Sequence, residues 1–348
     1  MQRPTLVFIG GFLGAGKTTL MLRAAEILLN RRLRPALITN DQSRELVDTA
    51  LATTAGFHTA EIAGGCFCCR FTDLIARIED LARFEPQVIL AEPVGSCTDI
   101  SATVLQPIKA LYRDRLHLAP FTVLVDPARA HAMAHKPDAL TAYLFRNQIA
   151  EADFVCLNKV DLQYSEPALS GGIDFLLSAQ TGFGVAQWLD AVLAGGESGK
   201  HILNVDYEVY AAAEAELGWL NWHAHLESRE PLNAASLIGP FLDLLDAALT
   251  RKNIPISHCK ILDRTDSAVL KASICHNGEE PFIHGDRTAA PASSHEIILN
   301  LRAEGDPLTL RDIVAQLSNE LPGTLTVKLF DAFRPAPPVP HHRFTHAI

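Results

Sequence analysis

A few residues, by type and spacing, could bind phosphate, read a base or hold a metal. Gly11, Gly16, Lys17 and Thr18 fit the phosphate-loop spacing G-x-x-x-x-G-K-[ST]. An apolar run precedes them and a helical pattern follows, which is the strand–loop–helix context this spacing requires. Glycines let successive backbone N–H groups converge on one anion with no Cβ in the way. Lys17 brings a point charge to terminal phosphates, and the Thr18 hydroxyl is a hard oxygen ligand for Mg²⁺. Gly14, Ala15 and Thr19 complete the expected nucleotide loop, and the helix N-terminus adds partial positive charge.

Asn158-Lys159-Val160-Asp161 ends an apolar run. An N-K-x-D arrangement at this distance behind a phosphate loop points to guanine. The Asp161 carboxylate can accept from guanine N1–H and the exocyclic amine, whereas adenine presents an acceptor at N1 and would leave the charge unpaired. The Lys159 stem can lie against the base plane, and Ser178-Ala179 suits a second base-contacting loop. In Val88–Gly95 an apolar run ends in Glu92, with glycine three residues on. Glu92 is placed to hold Mg²⁺ through its waters, and the Gly95 N–H to meet a γ-phosphate.

Gly64-Gly-Cys-Phe-Cys-Cys69 puts three thiols in four residues. Such a set favours soft or borderline cations: Zn²⁺, Co²⁺, Cu⁺ or Ni²⁺. Three clustered ligands leave a coordination position open, which suits transfer better than storage. A redox thiol pair and buried structural cysteines are the competing readings. Cys97 reads as a core residue that could instead join the metal site. Cys156, Cys259 and Cys275 fall on apolar runs and read as core.

The elements that must position these residues follow from hydrophobic patterning. Residues 5–195 alternate short apolar runs with amphipathic stretches, the signature of a parallel α/β sheet with helices on both faces. Strands are expected at Leu6–Ile9, Ala36–Thr39, Val88–Ala91, Phe121–Val125 and Phe154–Leu157. Helices are expected from the phosphate loop to about Leu29, then at Thr72–Ala82, Ala102–Leu111, Pro137–Ala150 and Gly184–Leu193. Residues 196–202 read as a linker and 203–332 as a smaller α+β domain, with strands at Leu217–Leu226, Ile256–Leu262, Ala268–Cys275, Glu296–Leu301 and Thr324–Phe330. Helices there are expected at Ala234–Leu249 and Leu308–Leu321. A polar loop is expected at 276–294 and a flexible Pro/His tail at 333–348.

The chain has 348 residues and a net charge of −10, which argues against general nucleic-acid or anionic-membrane binding. No apolar run reaches the ~18 residues of a membrane span. The seven cysteines, three of them adjacent, read as thiol or metal chemistry in a reducing, cytoplasmic compartment.

With these residues in view, the chain resembles the CobW-type GTPase metallochaperones, relatives of the hydrogenase- and urease-maturation GTPases. The match rests on residues 10–20, 64–69, 92–95, 158–161 and 178–184. The resemblance implies a slow GTPase that uses GTP and Mg²⁺, with Lys17, Glu92 and Asp41 in its catalytic centre. It further implies Zn²⁺ or Co²⁺ carried on Cys66, Cys68 and Cys69 and released on hydrolysis to a client metalloprotein or cofactor-handling enzyme. Relatives usually carry Asn-Glu-x-Gly after the second strand; here that segment is Asn40-Asp-Gln-Ser43, so Asp41 stands where Glu is common. The pairs His131/His135 and His223/His225 read as surface or core histidines, the terminal His341, His342 and His346 as a short solvated tail with a metal-capturing tail as the alternative, and a homodimer is left open. The competing functions are a metal-buffering or client-binding module stabilised by nucleotide, and an ATP-dependent small-molecule kinase.

Overall fold

The computed structural model describes residues 3–42, 47, 56–162 and 172–348. Two compact units result, one formed by residues 1–44, 48–214 and 337–348, the other by 45–47 and 215–336. Ser43 of the atypical segment after the second strand lies outside the described residues.

The first unit is a parallel sheet with eight strands among the described residues. In chain order they are β1 (Thr5–Gly11), β2 (Pro35–Asp41), β3 (His58–Ala63), β4 (Val88–Glu92), β5 (His117–Leu118), β6 (Thr122–Val125), β7 (Phe154–Leu157) and β8 (Phe175–Leu176). Their order across the sheet is β3-β2-β4-β1-β6-β7-β8, with β5 also beside β1. The register Thr39–Glu92 between β2 and β4, and Phe8–Ala91 between β1 and β4, brings the C-terminal ends of all three strands to one edge of the sheet. That edge is where open parallel sheets place their ligands. The helices are α1 (Lys17–Asn30), α2 (Phe71–Ala82), α3 (Gln106–Tyr112, entered through a π-helical turn at Ser101–Leu105), α4 (Pro127–His135), α5 (Leu140–Ala150), α6 (Val185–Leu193) and α7 (Tyr207–Ala215). β1, α1 and α6 share a core in which Val7, Ile9, Leu20, Met21, Trp188 and Leu189 are almost fully buried.

The second unit is an antiparallel sheet of β9 (Leu217–Leu232), β10 (Ile256–Arg264), β11 (Val269–Ile274), β12 (Phe282–His284), β13 (Ala292–Glu304) and β14 (Thr324–Phe333), with helices α8 (Ala234–Arg251) and α9 (Pro307–Ser318). The strand order is β12-β11-β10-β13-β9-β14. Its core packs Leu220, Trp222 and Leu226 of β9 with Phe241 and Leu245 of α8 and Leu310 and Val314 of α9.

Differences from the sequence expectation have local causes. The helix expected at 137–150 is α5, starting at Leu140, and α4 before it was not expected; Asp126 caps its start at Pro127, the side chain accepting from the backbone N–H groups of Ala128 and Arg129. The expected linker continues into α7, whose Tyr210 and Glu214 are buried in the first unit. The expected loop at 276–294 contains β12. The end of the chain, expected to be a flexible tail, is ordered against the first unit: His341 N–H donates to the Cys68 carbonyl (2.9 Å) and Phe344 N–H to that of Ala102 (3.0 Å). Arg343 Nε pairs with Asp99 at 2.8 Å, which explains why a Pro/His-rich stretch is held. Among the described residues no helix is long and apolar enough to cross a membrane.

Candidate nucleotide and metal site

The phosphate loop turns between β1 and α1, and two of its glycines are compulsory. Gly11 has φ +130°, and a Cβ there would stand 2.5 Å from the Leu124 carbonyl oxygen. Gly16 has φ +95°, and a Cβ there would stand 2.3 Å from Asn158 Nδ2. Lys17 Nζ donates to the carbonyls of Gly11 (2.8 Å) and Phe12 (3.3 Å), which holds its ammonium over the loop. A Cβ on Gly95 would stand 3.0 Å from that same Nζ, so the Gly95 backbone abuts the place where Lys17 would meet a terminal phosphate.

Thr18 and Glu92 are brought together from α1 and the end of β4. The Thr18 hydroxyl lies 3.1 and 2.9 Å from the two Glu92 oxygens, and both residues are buried. A hydroxyl and a carboxylate converging beside a phosphate loop fit Mg²⁺, a hard cation bound through one or two protein oxygens and its own waters. Thr18 and Glu92 would hold it, and it would supply charge neutralisation for β- and γ-phosphate oxygens. Asp41 ends β2, half-buried.

Asn158, Ser178 and Ala179 are brought together by hydrogen bonds. Asn158 Nδ2 donates to the Ala15 carbonyl at 2.7 Å, and its Oδ1 accepts from Ala179 N–H at 2.9 Å. One side chain therefore ties the phosphate loop to the 178–182 loop, where Ser178 Oγ accepts from Thr181 N–H at 3.1 Å. Lys159 sits at φ +62°, and its Nζ pairs with Asp126 at 2.6 Å. Asp161, the carboxylate expected to read the base, is exposed on the same turn. Asp126 escaped the sequence reading as a site residue; its place directly after β6 was the available signal.

The three clustered thiols converge. Cys66 Sγ lies 2.6 Å from that of Cys68 and 3.3 Å from that of Cys69, and the last two are 3.7 Å apart. Cys66 and Cys68 are buried and Cys69 half-buried. Tetrahedral coordination with metal–sulfur bonds of ~2.3 Å separates sulfurs by about 3.8 Å, so Cys69 already stands at that distance from Cys68 while Cys66 must move away from Cys68 to admit a cation. Among the described residues this is the one group of three or more such ligands whose donor atoms lie within 4.8 Å of one another. The hydrogen bonds from Cys68 and then Cys69 hold the Cys66 thiol well below its usual range. The same bond to Cys66 raises Cys68, and raises Cys69 to about 11. A cation bound to these sulfurs would displace their protons.

Asn40 builds the loop that carries these thiols, a role its type alone did not reveal. Its Nδ2 donates to the carbonyls of Ile62 (3.0 Å) and Gly65 (2.7 Å), and its Oδ1 accepts from Phe67 N–H at 3.0 Å. Gly64 (φ +79°) and Gly65 (φ +152°) supply the turn. On the outer side, Val339 N–H reaches Cys69 Sγ at 3.3 Å, and the His342 ring meets Phe71 edge-on at 5.0 Å. The histidine pairs are engaged elsewhere. His135 bonds the His131 carbonyl at 2.8 Å, and His223 and His225 both bond Glu296, at 2.6 and 2.9 Å.

Residues 5–173 match the family described as CobW/HypB/UreG, nucleotide-binding domain. Similar solved structures include a Zn(II)-bound triple mutant of the YjiA GTPase, 16% identical, covering 92% of this chain and 100% of that one with a TM-score of 0.34. Zn(II)-bound YjiA GTPase from E. coli is 14% identical over 91% of this chain and 99% of that one, with a TM-score of 0.34. HypB from Helicobacter pylori in complex with nickel is 16% identical over 56% of this chain and 86% of that one, with a TM-score of 0.41. The phosphate loop, the Thr18–Glu92 pair and Asn158 fall within the matched span, and residues 5–173 are a nucleotide-binding domain of the CobW/HypB/UreG family.

Proposed function

We propose that this chain is a GTP-dependent metal carrier. It binds GTP on Gly11–Thr19, with Gly95 at the γ-phosphate, Asp161 and Lys159 at the guanine and Asn158 holding the two base-side loops. It carries Zn²⁺ or Co²⁺ on Cys66, Cys68 and Cys69 and gives the ion to a client metalloprotein or cofactor-handling enzyme when GTP is hydrolysed. The carrying observation is the Asn40 side chain, which leaves the end of β2 and makes two hydrogen bonds to the loop that holds the thiols and one to Ile62 at the end of β3. β2 pairs along its length with β4, which ends in Glu92. A change at the γ-phosphate end of these strands therefore has a bonded route to the sulfurs. Lys17, Glu92 and Asp41 serve the hydrolytic step by positioning and charge, the means by which phosphoryl transfer is generally accelerated.

Lys17→Ala is the test. Zinc is loaded in the presence of GTP and its release is followed with a chromogenic chelator. The carrier reading expects the variant to lose both loading and hydrolysis-linked release. Intact delivery by a variant that no longer binds GTP would make the protein a metal buffer. A preference for ATP over GTP would favour a small-molecule kinase instead.

A further inference from the structure

Residues 339–348 form neither helix nor strand, yet backbone donors seat them on the first unit. Val339 N–H donates to Cys69 Sγ (3.3 Å), His341 N–H to the Cys68 carbonyl (2.9 Å), Phe344 N–H to the Ala102 carbonyl (3.0 Å) and Ile348 N–H to Gln106 Oε1 (2.9 Å). Between these anchors the Arg343 guanidinium enters a pocket made by Asp99, Tyr207 and Leu203. Its Nε meets Asp99 Oδ2 at 2.8 Å, its Nη2 donates to the Leu203 carbonyl at 2.9 Å, and it lies 5.7 Å from the centre of the Tyr207 ring. The Tyr207 hydroxyl donates to the same Asp99 oxygen at 2.8 Å. Asp99 is buried, and its other oxygen, Oδ1, accepts no hydrogen bond among the described residues. A planar guanidinium can engage both oxygens of a carboxylate, and a buried acceptor without a donor is unfavourable. Arg343 therefore fills this pocket incompletely. Main-chain bonds beside one charged pocket are the means by which proteins bind short peptide segments. A tethered occupant holds such a groove through its high effective concentration, even where its fit is imperfect.

We propose that this groove is the docking site for an arginine-bearing segment of a client protein, and that residues 339–348 are its displaceable stand-in. While seated, they hold the Cys68 carbonyl and the half-buried Cys69 sulfur. A client segment whose guanidinium meets both Asp99 oxygens displaces them, so docking and exposure of Cys69 are one event. The inference rests on the metal-carrier reading for what is uncovered, and adds how the client is recognised. The pocket selects arginine over lysine, because an aromatic ring, a carbonyl and a carboxylate surround a flat cation better than a compact ammonium. A buried carboxylate on a chain of net charge −10 turns phosphate groups away, so the occupant is a peptide and not a nucleic acid.

The test uses the reduced, metal-free full-length chain. Alkylation of Cys69 by iodoacetamide is followed by peptide mass spectrometry, with the buried Cys97 as reference. Arg343→Ala is expected to speed Cys69 alkylation several-fold while the Cys97 rate, which reports the fold, stays unchanged; Arg343→Lys should fall between. The probe for the groove is a synthetic peptide of residues 339–348 added to Arg343→Ala, whose own segment is weakly held. The peptide should restore slow alkylation and bind saturably by fluorescence anisotropy, at least ~10-fold more tightly than the same peptide with alanine in place of arginine. Equal affinity of the two peptides, or no binding of either, would overturn the docking site. So would a wild-type Cys69 rate in Arg343→Ala. A wild-type rate that rises on dilution would assign the seated segment to a second copy and overturn displacement within one chain. No arm contains metal or nucleotide, so failure here leaves the carrier reading standing, and failure of that reading leaves these outcomes unchanged.

Discussion

Asn40 is where the account is most exposed to a single substitution. It is buried, and its three side-chain hydrogen bonds run to the end of β3 at Ile62 and to Gly65 and Phe67 of the thiol loop. Asn40→Ala removes three bonds worth ~1 kcal/mol each in net terms, and partial access of water to the abandoned groups offsets some of that. A net loss of about 2–3 kcal/mol of loop order is the reasonable size. If cation binding must restore that order, zinc affinity falls by roughly 30- to 140-fold, at 1.4 kcal/mol per decade. Asn40→Asp is the sharper variant. It keeps an acceptor for Phe67 N–H but turns a second oxygen toward the carbonyls of Ile62 and Gly65, so it should bind zinc no better than Asn40→Ala. The assay is competition for zinc against a chelator of known affinity, with GTP-analogue binding as the control for folding. A folded Asn40→Ala protein whose zinc affinity lies within threefold of wild type would refute the route from β2 to the sulfurs.

Further outcomes follow from the same geometry. Gly16→Ala places a methyl 2.3 Å from Asn158 Nδ2 at a left-handed φ, and Asn158 is pinned at both ends of its amide. GTP-analogue affinity, read by a fluorescent nucleotide, should fall at least ~30-fold, from ~2–3 kcal/mol of strain, and near-native binding would mean the loop is more pliant than drawn. Glu151 is fully buried, and burial pushes its carboxyl up to about 8. The unfolded chain then loses this proton first, so stability is full below about pH 4.5 and is lost as pH rises toward 8. Glu151→Gln keeps an acceptor for Ser101 N–H and turns an amide donor toward Thr98 Oγ, and should flatten the fall in melting temperature between pH 5 and pH 8; parallel curves for variant and wild type would contradict the assignment. Deleting residues 337–348 removes the Val339 N–H bond to Cys69 and should speed alkylation of Cys69 several-fold relative to Cys97, measured by mass spectrometry; an unchanged rate would show that the segment does not shield the sulfur.

Much of the first unit was legible because its strands are short, apolar and bounded by turn residues. β7 begins and ends where the apolar run does, and β1, β2, β4 and β6 differ by one or two residues at their ends. β3 was not legible, since His58-Thr-Ala-Glu-Ile-Ala63 is a half-exposed strand with a polar face, and its identity is fixed by pairing with β2. The site motifs were legible as types at spacings. The wiring between them was not, because the bonds of Asn40, Asn158 and Gln148 join residues 21 to 143 positions apart with no periodic signal. The C-terminal segment read as disorder because composition records proline and polarity but not the partner, here Asp99, that holds Arg343.

The central claim is that nucleotide state sets metal affinity. Zinc dissociation constants measured on the same protein with a non-hydrolysable GTP analogue and with GDP test it most directly. The account predicts tighter zinc binding with the analogue, and by reciprocity an analogue affinity raised by zinc in the same ratio. Equal zinc affinity in the two nucleotide states would contradict it.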